Sequence, residues 1–99
     1  MVSLQYPSIR STTLATTVNT VIGPCDVNDL GITLMHEHLL NGWPGWESDT
    51  AAPPFNRADA RQMCIDRLHE LYALGVRTLL DPCPNDLGRD VEFMAEVAQ

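Results

Sequence analysis

Lysine is missing from this 99-residue chain, and arginine, at six positions, is its only strong base. Against thirteen acidic residues this leaves a formal charge of −7. Nucleic acid and anionic membrane surfaces need clustered cations to displace counterions, so both are excluded as expected partners. Long apolar runs are missing too. Met1 to Thr20 mixes Ser, Thr and Pro around Arg10 and holds no segment of signal-peptide or transmembrane length, so a cytoplasmic location is expected. Cysteine is scarce: Cys25, Cys64 and Cys83 are odd in number, widely spaced and without a CxxC pair. Neither a disulfide framework nor a thiolate zinc site fits that pattern, and buried or half-buried free thiols do. Cys83 stands between Pro82 and Pro84, where no helix N-terminus activates it as a nucleophile.

What the chain does hold is an ordinary apolar share, 44%, enough for one small domain. Residues 1–17 read as a polar, turn-rich tail and residues 18–99 as the structured part. Val18 to Ile22 alternates as a short strand closed by a Gly23-Pro24 turn. Asp26 to Leu30 reads as a brief helical turn capped by Asp26 and stopped by Gly31. Asn56 is a good N-cap for a helix over Ala58 to Leu74, which has no Pro or Gly. Ala60, Cys64, Leu68, Leu71 and Tyr72 form its apolar stripe, widened by Met63 and Ile65, and Gly75 ends it. Val76 to Asp81 is a strand. Strand, loop, helix, turn and strand make a βαβ unit, whose strands run parallel. Arg89 to Gln99 begins a second helix with Val91, Met94, Ala95 and Ala98 on one side, and Arg89 and Asp90 are expected to pair at its start. It ends without a C-terminal cap, so the chain reads as a piece of a longer one.

The chemistry gathers in Gly31-Ile32-Thr33-Leu34-Met35-His36-Glu37-His38. In a strand running from Ile32 to His36 or Leu39, alternate side chains share a face, which puts His36 and His38 together with Cα atoms about 6.6 Å apart. Imidazole is a common ligand of zinc and other transition metals, and a catalytic site takes about three protein ligands plus an open position. Asp81 ends the second strand at the same edge. It suits hydrogen-bonding to a ligand histidine and also capping of the Pro82–Gly88 loop, the preferred reading. Trp43 and Trp46 lie in the Pro/Gly-rich loop from Asn41 to Phe55, either as an aromatic wall over a ligand pocket or as anchors of the loop. His69, alone on the helix, reads as a surface residue.

Parallel strands with polar groups at their C-terminal ends suit both an open doubly wound sheet and a (β/α)₈ barrel. The octapeptide resembles the N-terminal signature of the phosphotriesterase family of the amidohydrolase superfamily. Val18 to Pro24 resembles that family's opening strand, and Gly75 to Pro82 and Leu87 to Asp90 resemble its second barrel strand and the loop that follows. The resemblance implies the N-terminal fragment of a (β/α)₈ TIM barrel roughly three times this length, with opening strand, first strand, first helix, second strand and the start of the second helix. It further implies a binuclear metal site, zinc by preference with cobalt, manganese or iron as alternatives, in which His36 and His38 bind the more buried ion. The bridging carboxylated lysine, further histidines and late aspartate of the family have no counterpart here.

A metal-activated hydroxide attacking a phosphotriester or lactone is the implied reaction, with a small-molecule ester or lactone as partner. No catalytic residue is assigned within this chain, and the isolated 99 residues are expected to be inactive. A homodimer is compatible with the complete protein. Two other readings compete: a small stand-alone binding or interaction protein with structural histidines, and an amide or cyclic-imide hydrolase of the same superfamily.

Overall fold

Thr17–Thr20 (β1) and Gly23–Asp26 (β2) form an antiparallel hairpin in a computed structural model that describes residues 16–99. The first fifteen residues of the expected tail lie outside the described residues. Gly23-Pro24 is not the turn. Val21-Ile22 is, and Pro24 enters β2 opposite Asn19, tolerated because each strand of a two-stranded ribbon has an unpaired side. Thr20 Oγ1 donates to Gly23 O at 2.6 Å, closing the hairpin, and Gly23 takes φ +118°, which its missing Cβ permits. Asp26 caps the following 3₁₀ turn, Val27–Asp29, by accepting from Asn28 N at 2.8 Å, as expected.

Ile32–Leu34 (β3) and Val76–Leu79 (β4) pair in parallel, joined through the helix Arg57–Ala73 (α1). This is the expected βαβ unit. The strand containing the histidines is shorter than expected: regular pairing ends at Leu34, and the chain bends over Met35 and His36. Two backbone bonds still hold the extension to its neighbour, Leu80 N to Leu34 O at 2.8 Å and Glu37 N to Leu80 O at 3.1 Å. A bulge lies near the start of the pair, where Ile32 faces Val76 but Thr33 faces Thr78. Gly31 fits against it only as glycine, since φ is +62° and a Cβ would stand 2.9 Å from Arg77 Cβ and Cγ.

Asn56 caps α1 by accepting from Asp59 N at 3.0 Å, and Gly75 ends it at φ +102°. Ala60, Cys64, Ile65, Leu68 and Leu71 are half-buried on the inner face. Met63 and Tyr72 are exposed instead, Tyr72 because its ring carries the Arg77 guanidinium 3.8 Å from its centre. The second helix, Val91–Ala98 (α2), turns a different side inward from the one expected. Phe93 and Val97 are buried one turn apart, while Val91 and Ala98 face out. The cause is electrostatic as well as apolar: Arg57 of α1 lies 5.1 Å over the Phe93 ring and bonds Asp90 and Glu96 on either side of it. Asp90 therefore pairs with Arg57 rather than with Arg89, correcting the expected local ion pair. Among the described residues only Cys83, Phe93 and Val97 are buried apolar side chains, and Ile32 and Met35 are exposed beside the open edge of β3. Among those residues no helix is long and apolar enough to cross a membrane.

Candidate metal centre

Parallel strands place their C-terminal ends at one edge, so the segment leaving β3 and the residue following β4 meet there. His36 and His38 come together as the sequence predicts, with ring centroids 5.2 Å apart. The rings meet edge to face at 81° rather than side by side, because the histidines follow the strand instead of lying in it. His36 is exposed, and the His38 side chain keeps a quarter of its surface.

Asp81 approaches His38 from β4. Its side chain is 6% exposed, and its Oδ1 lies 2.9 Å from His38 Nδ1. The same carboxylate accepts from Leu39 N at 2.9 Å and from Cys83 N at 3.0 Å. One side chain thus contacts a histidine and caps its own loop.

His38, Asp81 and Cys83 bring three ligand-type atoms within 4.8 Å of one another. That trio is chemically a poor cation site. Both Asp81 oxygens are engaged by backbone N–H groups, and burial raises the Cys83 thiol above its ordinary range, with the Asp81 charge adding to the shift. The thiol donates to Leu87 O at 3.3 Å. His36 stands outside that trio. Two imidazoles on one tetrahedral ion, with nitrogens about 2.1 Å from it, hold their centroids roughly 5 Å apart, within the range of an ordinary edge-to-face ring contact.

The loops after the two strands interlock around glycine. Gly42 N donates to Leu87 O at 2.9 Å, and Trp46 lies against Gly42 so closely that a Cβ there would meet its Cδ1 at 2.6 Å. Gly88, at φ +87°, borders Gly42 N from the other loop. Arg89 Nε donates to Cys83 O at 2.7 Å, closing the second loop on itself. The two tryptophans divide. Trp46 packs edge to face on Phe55 with centroids 5.4 Å apart and anchors the loop, whereas Trp43 is 80% exposed. Both border an open cleft of about 370 Å³ together with Asn41, Asp49 and Ala52. The glycine contacts were missed from sequence, although Gly42 and Gly88 each sit beside a polar loop end and carry that signal. Cys64 also reaches this edge, donating to Leu39 O at 3.6 Å, and burial raises its thiol.

The sequence pattern of the phosphotriesterase family matches residues 16–99. A phosphotriesterase homology protein of Mycobacterium tuberculosis is 35% identical over 92 residues, covering 82% of this chain and 25% of the relative. An aryldialkylphosphatase of Saccharolobus solfataricus is 30% identical over 78 residues, covering 72% and 22%. Among solved structures, an organophosphate hydrolase engineered from a weak promiscuous lactonase template superposes with a TM-score of 0.78 at 38% identity, covering 84% of this chain and 26% of that one. A triple mutant of the organophosphorus hydrolase from Deinococcus radiodurans gives 0.78 at 38% identity, covering 85% and 25%. This chain spans about a quarter of the length of these relatives. Its hairpin, βαβ unit and second helix therefore correspond to a portion of a (β/α)₈ barrel, with the histidines at the strand ends where such barrels carry their sites. On the match over residues 16–99 and on this shared fold, the chain belongs to the phosphotriesterase family.

Proposed function

We propose that this chain contributes His36 and His38 as ligands of one divalent ion to a metal-dependent hydrolase of phosphotriesters or lactones. The observation that carries the reading is the edge-to-face histidine pair, 5.2 Å between centroids, at the C-terminal edge of β3 and β4. A divalent ion, zinc by preference, supplies Lewis acidity toward the substrate oxygen and toward water when bound. His36 and His38 hold and orient that ion without moving protons themselves. Trp43, exposed on the cleft rim, offers an apolar face to the leaving or acyl group of an ester, while Trp46 keeps that rim in place. No proton acceptor is assigned among these 99 residues, so on this reading they are inactive by themselves.

The test joins metal analysis to hydrolysis. A full-length form carrying this sequence is expected to hold about two ions and to cleave a lactone or a phosphotriester. His36→Ala with His38→Ala should remove one ion and the activity. Unchanged metal content and unchanged hydrolysis in that double variant would refute the assignment. Turnover of a dihydropyrimidine in place of lactones would move the chain to the cyclic-imide branch.

A further inference from the structure

We infer that Asp81 is the positioning residue of His38: it fixes the imidazole proton on Nδ1 and leaves Nε2 as the free ring nitrogen. The proposal rests on the reading of His38 as a ligand only for its consequence, because the placement of the proton follows from the geometry alone. Asp81 Oδ2 accepts from Leu39 N at 2.9 Å and Oδ1 accepts from Cys83 N at 3.0 Å, so the carboxylate faces His38 Nδ1, 2.9 Å away, as an acceptor. An acceptor at that distance requires an N–H on the ring. Nδ1 is therefore the donor, and Nε2 carries the lone pair. The carboxylate is 6% exposed, so little water competes for it, and its three bonds engage both of its oxygens.

Its partners span both strand ends. Leu39 directly follows His38, and Cys83 lies in the loop after β4, so one carboxylate sets the orientation of the ring, the backbone behind it and the neighbouring loop. A ring held this way presents Nε2 in one direction before any ion arrives, which removes both a tautomer choice and a rotamer search from binding. Carboxylates that orient ligand histidines in this manner change metal affinity by about 10–100-fold when replaced. His36 has no such partner among the described side-chain hydrogen bonds, so His38 is the pre-set member of the pair.

The experiment reads the proton directly. A long-range proton–nitrogen correlation spectrum of the metal-free 99-residue chain is recorded at alkaline pH, where imidazole is neutral. Exposed His69 on α1 serves as the internal reference for an unconstrained ring. His38 is expected with its proton on Nδ1, unlike His69. Asp81→Ala, which removes the acceptor and is checked by circular dichroism for retained helix, should return His38 to the pattern of His69. In a full-length form carrying this sequence the same change should weaken Zn²⁺ binding by about 10–100-fold. A His38 proton on Nε2 in the unmutated chain overturns the proposal whatever the variant does, and so does a spectrum unchanged by Asp81→Ala. A tautomer that switches in Asp81→Ala while the full-length form holds no metal supports the placement of the proton and overturns the metal reading instead.

Discussion

Replacing Asp90 by Ala removes two separable contributions at the start of α2. Its Oδ1 accepts from Phe93 N at 2.8 Å as the helix N-cap, and its Oδ2 meets Arg57 Nη1 at 2.6 Å. The cap is worth about 1 kcal/mol by comparison with other Asp-to-Ala caps. The ion pair adds less, because its side chains keep 42% and 35% of their surface and salt screens them. Asn caps as well as Asp does, so Asp90→Asn keeps the larger contribution and loses only the pair with Arg57. Amide exchange at Phe93 reads the local opening of this eight-residue helix. Asp90→Ala should speed that exchange about five-fold relative to Asp90→Asn, the factor that about 1 kcal/mol represents. The pH dependence follows the same carboxylate. The Phe93 amide, first, and then Arg57 hold the Asp90 carboxyl below its ordinary range. In the acid range the folded form therefore binds fewer protons than the unfolded one, and stability rises with pH there. The contribution is complete above about pH 4, the ordinary aspartate value, and is lost as pH falls through the lowered folded value. Both variants should flatten this acid limb. Equal exchange rates at Phe93 in the two variants, or an acid limb unchanged in Asp90→Asn, would refute the division into cap and pair.

Gly31→Ala should lower the urea midpoint more than Gly45→Ala, since both positions have positive φ but only Gly31 meets a neighbour, Arg77, at 2.9 Å; equal losses would show that the clash is relieved freely. Among the thiols, Cys25 should react first with a disulfide reagent, and Cys83, with 0% exposure and a thiol raised by burial, only on unfolding. Rapid native labelling of Cys83 would contradict its burial. Iodide should quench the fluorescence of Trp46→Phe, which retains Trp43, more strongly than that of Trp43→Phe, given 80% exposure of Trp43 and the packing of Trp46 on Phe55. Equal quenching would mean that Trp46 does not anchor the loop.

The local signals in the chain were legible where one residue type fixes one geometry. Asn56 and Gly75 bound α1 because a short polar acceptor suits an N-cap and a residue without Cβ suits positive φ. The parallel pairing of β3 with β4 followed from a helix between them. What stayed hidden depends on partners distant in sequence. Pro24 looked like a turn residue because nothing local announces that its outer side would be unpaired. The inward side of α2 was misjudged because Arg57, 33 residues before Asp90, decides it by bonding Asp90 and Glu96 and covering Phe93. Asp81 suits both a loop cap and a histidine partner in the sequence, and the preference for the cap alone misses that its contact with His38 spans 43 residues, which only the folded edge brings together.

That long span also explains why the candidate centre is built on the edge rather than on either loop. His38 follows a strand whose regular pairing ends four residues earlier, so β3 alone would leave the ring free to swing. Three interactions replace the lost strand order: Glu37 N to Leu80 O, Leu39 N to Asp81, and Gly42 N to Leu87 O. Each bonds the segment after β3 to the segment after β4, at successive positions away from the sheet. The parallel pair thus continues as a ladder of irregular bonds, with Asp81 as the rung that carries a side chain. An insertion on either side of this ladder would shift its register and separate His38 from Asp81, whereas one at the exposed loop tip near Asp49 to Ala52 would leave all three bonds intact. Tolerance to length change should therefore be high at that tip and low between Glu37 and Gly42, and the two should differ in how they affect the tautomer of His38.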